Sequence, residues 1–293
     1  MRTVKTDLII ETIKEMCIKA NIYPAADVKG ALYSAYDSEE SPLGRKILGQ
    51  LRENLDIASA ESIPICQDTG MAIVFVKLGQ DVHIEGGSFN EAVNEGVRRG
   101  YAEGYLRKSV VSDPLLRKNT NDNTPAIIHV EIVDGENIEF TVAPKGFGSE
   151  NMSKLYMLKP ADGEEGVKKA VVQAVKEAGP NACPPVVVGV GIGGDFEKAA
   201  ILAKKALTRN LDKSANDNSE KDPVSGMTRP EYAARLEKEL FDEINALGIG
   251  PGGMGGKNTC LGVNVETYPT HIAGLPVAVN ICCHVNRHVK VTV

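Results

Sequence analysis

The sequence predicts an α+β fold: a single compact domain, spanning 1-293, with N-terminal helices followed by mixed sheets. Three observations predict it. The first sixty or so residues carry apolar side chains at helical spacing. From Met71 onward, short apolar runs bounded by glycines alternate with amphipathic segments. No internal repeat or low-complexity linker divides the chain.

Leu8, Ile9, Ile13, Met16 and Cys17 fall near helical spacing in a first helix, with Thr6 or Asp7 as its expected N-cap and Pro24 at its end. A second helix is expected from near Ala25, and a third from the Ser41-Pro42 start signal to about Leu55. MAIVFVKLG, opening at Met71, is a continuous apolar run and reads as a buried strand. A helix near 89–103, strands in AIIHVEIV and ENIEFTVAP, and a helix near 163–178 follow. VVVGVGI is a further strand, and a helix runs from Asp195 to about Thr208. NLDKSANDNSEKDPVSGMTRPE is polar and turn-rich, the composition of a surface loop. Tyr232, Leu236, Leu240, Ile244 and Leu247 then mark an amphipathic helix, whose opening Thr228-x-Pro230-Glu231 resembles a capping box. GIGPGGMGGKNT reads as a loop, and the stretch from Leu261 to the end as strand-rich.

Composition narrows the function. With 42% hydrophobic and 25% charged residues the chain is ordinary for a soluble globular protein. A formal net charge of −6, without any Lys/Arg run, argues against a general nucleic-acid binder. Charges interrupt MRTVKTDLIIETIKEMCIKA throughout, so it has no signal-peptide core, and no stretch approaches the roughly 18 apolar residues of a membrane span. A cytoplasmic location is expected. In that reducing compartment the six cysteines, Cys17, Cys66, Cys183, Cys260, Cys282 and Cys283, are not a disulfide framework, and no C-x-x-C pair suggests a zinc ribbon.

Two glycine-rich stretches invite nucleotide readings. Gly189-x-Gly191-x-x-Gly194 lies between a strand and a helix, as a dinucleotide fingerprint requires. No second strand ending in an acidic residue follows about twenty positions on. Tight backbone packing, or an anion at the helix N-terminus, is the better reading, and a nucleotide-binding oxidoreductase is the weaker alternative. PGGMGGKNT resembles a phosphate loop, but Pro251 stands where its first glycine belongs and Asn258 follows Lys257 in place of Ser or Thr.

Three cysteines have unusual settings. Cys66 ends an apolar stub at the turn ICQDTG; Cys183 precedes two prolines in GPNACPPVVVGVG; Cys283 stands beside histidines and an arginine in NICCHVNRH. Three loop-borne thiols suit a [4Fe–4S] cluster with one open iron, since cluster ligation is by thiolate. On spacing alone, three unrelated buried thiols are the favoured reading, because ligands so far apart carry no diagnostic pattern.

The motifs ICQDTG, LRKSVVSDPLLRKNTNDNTPAIIH, KGFGSENMSKLYML, NACPPVVVGVGIGG and PTHIAGLPVAVNICCHVNRH together resemble the iron–sulfur-dependent class I fumarate hydratases and the related L-tartrate dehydratases. The resemblance is to their N-terminal, alpha part and covers essentially the whole chain. It implies that Cys66, Cys183 and Cys283 hold one [4Fe–4S] cluster in loops at strand ends. Cys260 is the rival third ligand, but the family's third cysteine precedes an Arg-His pair, here Arg287-His288, which favours Cys283. Cys282 would point elsewhere on a strand, and Cys17 would sit in the core of the first helix.

The resemblance further implies that Gln67 and Asp68 face the open iron, and that Asp68 and His271 form an acid–base pair. Arg107 would grip a substrate carboxylate. Gly148 matches a glycine that approaches substrate, although Phe147 interrupts the family's glycine run and leaves Gly146 as the alternative. Asn119 to Thr124 would shape the site. The implied activity is reversible hydration of fumarate to (S)-malate, with tartrate dehydration as the alternative. A non-catalytic iron–sulfur subunit is a third possibility, against which Arg107, Asp68 and His271 speak. The base and further substrate cations of the single-chain relatives lie in a C-terminal half, so a beta subunit is expected to supply them, in an α2β2 assembly.

Overall fold

The computed structural model describes residues 1–211 and 231–293. The polar loop read into the intervening stretch, and the capping box at Thr228, lie outside the described residues. In chain order the elements are β1 (Arg2–Lys5), α1 (Thr6–Ile22), α2 (Ala26–Ser38), α3 (Pro42–Glu61), β2 (Met71–Gly79), β3 (Val82–Glu85), α4 (Phe89–Glu103), β4 (Ile127–Val133), β5 (Ile138–Lys145), α5 (Phe147–Glu150), β6 (Lys154–Leu158), α6 (Gly163–Ala178), β7 (Val186–Gly194), α7 (Phe196–Ala206), α8 (Glu231–Asn245), β8 (Cys260–Thr270), β9 (Leu275–Cys282) and β10 (Val289–Thr292). The α+β class is as expected. The chain gathers into two compact units: Met1–Ala25, Leu55–Phe147 and Arg287–Val293 form the first, and Ala26–Asn54 and Gly148–Asn286 the second.

In the first unit a four-stranded sheet has the order β10-β5-β2-β4, with β4 parallel and β5 antiparallel to β2. Ala72, Val74 and Val76 of β2 alternate with Ile138, Phe140 and Val142 of its neighbour on one face, where they meet Ile9, Ile13, Met16 and Cys17 of α1 and Val93 and Val97 of α4. The N-cap of α1 is Lys5, in extended conformation and without a side-chain cap bond, rather than Thr6 or Asp7. Pairing of β1 with β3 accounts for this, because the strand runs straight into the helix.

The second unit's sheet has the order β6-β9-β7-β8. Val186, Val188 and Val190 point to a core that also holds Val171 and Val175 of α6 and Leu236, Leu240 and Ile244 of α8. The alternate residues face α7. A Cβ on Gly189 would lie 2.2 Å from Ala203 O, and one on Gly191 2.1 Å from Ala199 O. The glycine fingerprint is therefore a packing device that lets a helix press on a strand. The N-terminus of α7 is already capped by Asp195, whose carboxylate accepts from Lys198 N at 2.8 Å, so it offers little to an external anion.

Candidate active site

The ICQDTG turn of the first unit is anchored from every side. Ile65 is buried, and its N–H donates to Asn21 O at the end of α1 (2.9 Å). Tyr101 of α4 places its hydroxyl 2.8 Å from Thr69 O and 3.0 Å from Gly70 O, and Asn123 Nδ2 donates to Gly70 O at 3.1 Å. Asp68 Oδ1 accepts from Gly70 N (3.0 Å), and Oδ2 from Phe147 N (2.9 Å). The Asp68 carboxylate is thus aimed, with lone pairs to spare on both oxygens. Cys66 is half-buried and lies 3.4 Å from the exposed Gln67 through Sγ and Oε1.

Arg107 joins this turn through its backbone, since Thr69 Oγ1 donates to Arg107 O at 3.1 Å. Buried Leu106 and Val110 fix the segment, yet the Arg107 side chain is exposed and its guanidinium pairs with none of the described residues. An arginine held by its main chain and free at its fork is suited to a carboxylate ligand. The loop from Asn119 to Thr124 acts as its scaffold. Asn119 Nδ2 donates to Lys108 O (2.9 Å), and the fully buried Asn123 accepts from Ser109 N (2.7 Å). Burial pushes the Asp122 carboxyl up, but hydrogen bonds from Thr124 and Arg98 outweigh it and hold the group at about 2. Of the two candidate glycines, Gly146 is committed to this turn: its absent Cβ would lie 3.1 Å from Asp68 Oδ2. Gly148 meets nothing within 4 Å.

In the second unit Cys183 occupies the left-handed region (φ 52°, ψ 63°) at the end of a short 3₁₀ turn, Gly179–Ala182, and is exposed. The two prolines after it lead into β7. Because β9 runs antiparallel to β7, with Cys282 opposite Val187, Cys283 emerges at the same end of the sheet as Cys183. His284 Nδ1 lies 3.2 Å from Cys183 O and ties the two loops together. Gly252 N donates to Pro184 O at 2.8 Å, so the glycine loop after α8 braces the same turn.

That loop wraps a carboxylate of its own chain. Glu39, 4% exposed, accepts from Glu40 N, Ser41 N and Lys257 N at Oε1, and from Asn258 N and Nδ2 at Oε2. Burial opposes the charge, but the donors from Lys257, Ser41 and Asn258 prevail and hold the carboxyl at about 2. The phosphate-loop look-alike is an internal anion cradle. Sequence reasoning missed Glu39, whose partners in the loop lie more than two hundred residues away.

Burial sorts the six thiols. Cys17 is in the core of the first unit, where burial pushes its pKa up to about 12. Cys260 is 1% exposed in the core of the second, bonded to Gly262 O, and Cys282 is buried. Cys66, Cys183 and Cys283 reach the surface at least in part. Their donor chemistry suits an iron–sulfur cluster. Among the described residues, however, no group of three or more His, Cys, Asp or Glu side chains is arranged to hold a metal ion.

His271 departs from expectation. It is exposed in the turn after β8, its Nδ1 accepting from Ala273 N (3.1 Å), beside a surface cleft of about 540 Å³ lined also by Asp195, Lys198 and Tyr268. Thr270 pairs with Gly194 at the far end of β7. Nine residues of strand, about 30 Å, separate this end from the end that carries Cys183 and Cys283. Within the second unit His271 is therefore not beside these two cysteines.

The mixed helix–sheet fold and this set of motifs belong to a hydro-lyase. The chain is a member of the fumarate hydratase (Fumerase) family, matched over residues 10–292. It is 41% identical over 288 residues, 96% of this chain and 95% of the other, to a protein of Methanocaldococcus jannaschii that bears the provisional name L(+)-tartrate dehydratase subunit alpha. It is 32% identical over 264 residues, covering 89% of this chain and 82% of the other, to the L(+)-tartrate dehydratase subunit alpha of Escherichia coli strain K12. Among the described residues no helix is long and apolar enough to cross a membrane.

Proposed function

We propose that this chain is the alpha subunit of a two-subunit [4Fe–4S] hydro-lyase that interconverts fumarate and (S)-malate in the cytoplasm. The observation that carries the reading is the sorting of thiols: the three cysteines in turn settings reach the surface, and the other three are buried. Cys66, Cys183 and Cys283 would hold the cluster, which supplies a Lewis-acidic iron with an open position. Arg107 binds one substrate carboxylate through its planar fork. Asp68 orients the proton of the substrate hydroxyl, with Gln67 beside it, and the open surface at Gly148 admits the substrate to the backbone. His271 stays in the proposal as a site residue whose place is not beside this chain's own Cys183 and Cys283.

L-tartrate is the second reading, favoured by the names of both relatives. Those names also support a beta subunit, which we propose supplies the general base and further substrate cations in an α2β2 assembly. The test is anaerobic co-expression with the partner, cluster loading, and assays with (S)-malate, fumarate and L-tartrate. Malate–fumarate turnover that requires the partner supports the first reading, and tartrate turnover in its place supports the second. Full turnover by this chain alone overturns the two-subunit reading, since a missing general base costs about 10²–10⁴-fold.

A further inference from the structure

Behind Asp68 lies a buried cation to which the reaction above assigns no part. Arg287, 3% exposed, spreads its guanidinium over three separate elements of the first unit. Nε donates to Pro144 O on β5 (3.1 Å), Nη1 to Asn21 Oδ1 in the last turn of α1 (2.9 Å), and Nη2 to Asp68 O. Among the described residues no carboxylate pairs with it. Its charge is met by carbonyl and amide oxygens and by the negative end of α1. Asn21 is itself locked, donating to Cys17 O at 2.9 Å and accepting from Ile65 N through its carbonyl.

A buried, unpaired cation is a costly way to pin a turn that Tyr101 and Asn123 already hold. What Arg287 adds is direction. A planar fork fixed at two points can hold its third acceptor in only one orientation, which the single ammonium of lysine cannot do. We propose that Arg287 is a positioning residue: by gripping the Asp68 carbonyl it sets the rotation of the Asp68–Thr69 peptide, and with it the direction in which Asp68 presents its carboxylate. The kinetic half of this inference rests on the role proposed for Asp68; the structural half does not.

The experiment uses the full-length Arg287→Lys chain. Amide hydrogen exchange is followed first, without cluster or partner, over 65–70 and, as a control, 186–194. Losing one hydrogen bond to a charged group should speed exchange over 65–70 about tenfold and leave 186–194 unchanged. In the loaded complex kcat should fall about tenfold or more with KM within about twofold, the pattern of an interaction made in the transition state. Unchanged exchange over 65–70 in the folded variant overturns the proposal, as does faster exchange with wild-type kcat. If the wild-type complex turns over neither malate nor tartrate, the reaction has been misread, and the exchange result still decides whether Arg287 holds the turn. Should Arg287→Lys not fold, Asn21→Ala removes one anchor and should speed exchange over 65–70 in the same direction, by about threefold; no change there also overturns the proposal.

Discussion

Replacing Glu39 with Gln tests the anion cradle that braces the Cys183 turn. Five N–H donors converge on the carboxylate. Glutamine keeps the shape and one acceptor oxygen. Its amide nitrogen would face either the Asn258 donors or the trio from Glu40, Ser41 and Lys257, so at least two donors lose their acceptor. A carboxyl held at about 2 instead of 4.5 contributes about 3 kcal/mol to folding at neutral pH. Orphaned buried donors cost about 1–3 kcal/mol each, a sum of the same order. For a chain of this size about 3 kcal/mol lowers Tm by about 5 °C. The sign of the pH dependence is set by the depressed pKa. The stabilisation is complete above the unfolded value of 4.5 and is lost as pH falls toward about 2, so less than about half should remain at pH 3. The assay is thermal unfolding of wild type and Glu39→Gln at pH 7 and pH 3, followed by circular dichroism. A variant within 1 °C of wild type at pH 7, or a gap that widens on acidification, refutes the cradle.

Other outcomes are expected from the same geometry. Alkylation of the apo chain under reducing conditions should label Cys66, Cys183 and Cys283 first, because Cys17, Cys260 and Cys282 are buried; mass spectrometry reads the order. If the proposed ligand set is right, Cys66→Ser, Cys183→Ser and Cys283→Ser should each lose the iron of a reconstituted cluster by iron analysis, and Cys260→Ser should retain it. Arg107→Lys should keep folding and iron content while kcat/KM falls about tenfold or more if the proposed bidentate grip on a substrate carboxylate is lost; wild-type kinetics would make Arg107 structural. Gly191→Ala should destabilise by about 1–3 kcal/mol in chemical denaturation, as its Cβ would fall 2.1 Å from Ala199 O; wild-type stability there would show that α7 can move away freely.

What the sequence determined by itself is local. The stripe of Ile9, Ile13 and Met16, the apolar run from Met71 and the alternation through Val186, Val188 and Val190 are each written within one element, so α1, β2 and β7 were legible. So were the turn settings of Cys66 and Cys183, because proline and glycine act on the backbone where they stand. Short strands were not legible: RTVK has no apolar alternation and VHIE alternates over only four residues, and both become strands because each pairs with the other across some eighty residues. KLYML is apolar but only five residues long, too short a run to tell strand from helix, and its pairing with β9 decides it.

Tertiary structure alone decided the rest. Burial, which depends on every neighbour, separated Cys283 from Cys260 and Cys282. Register put Cys183 and Cys283 at one end of a sheet and His271 at the other, a distance that no motif spacing contains. Glu39 and Arg287 find their acceptors and donors up to 266 residues away, and a side chain whose partners are that remote leaves no local pattern to read. Hydrogen-bond partners, unlike periodicity, exist only once the chain has closed on itself.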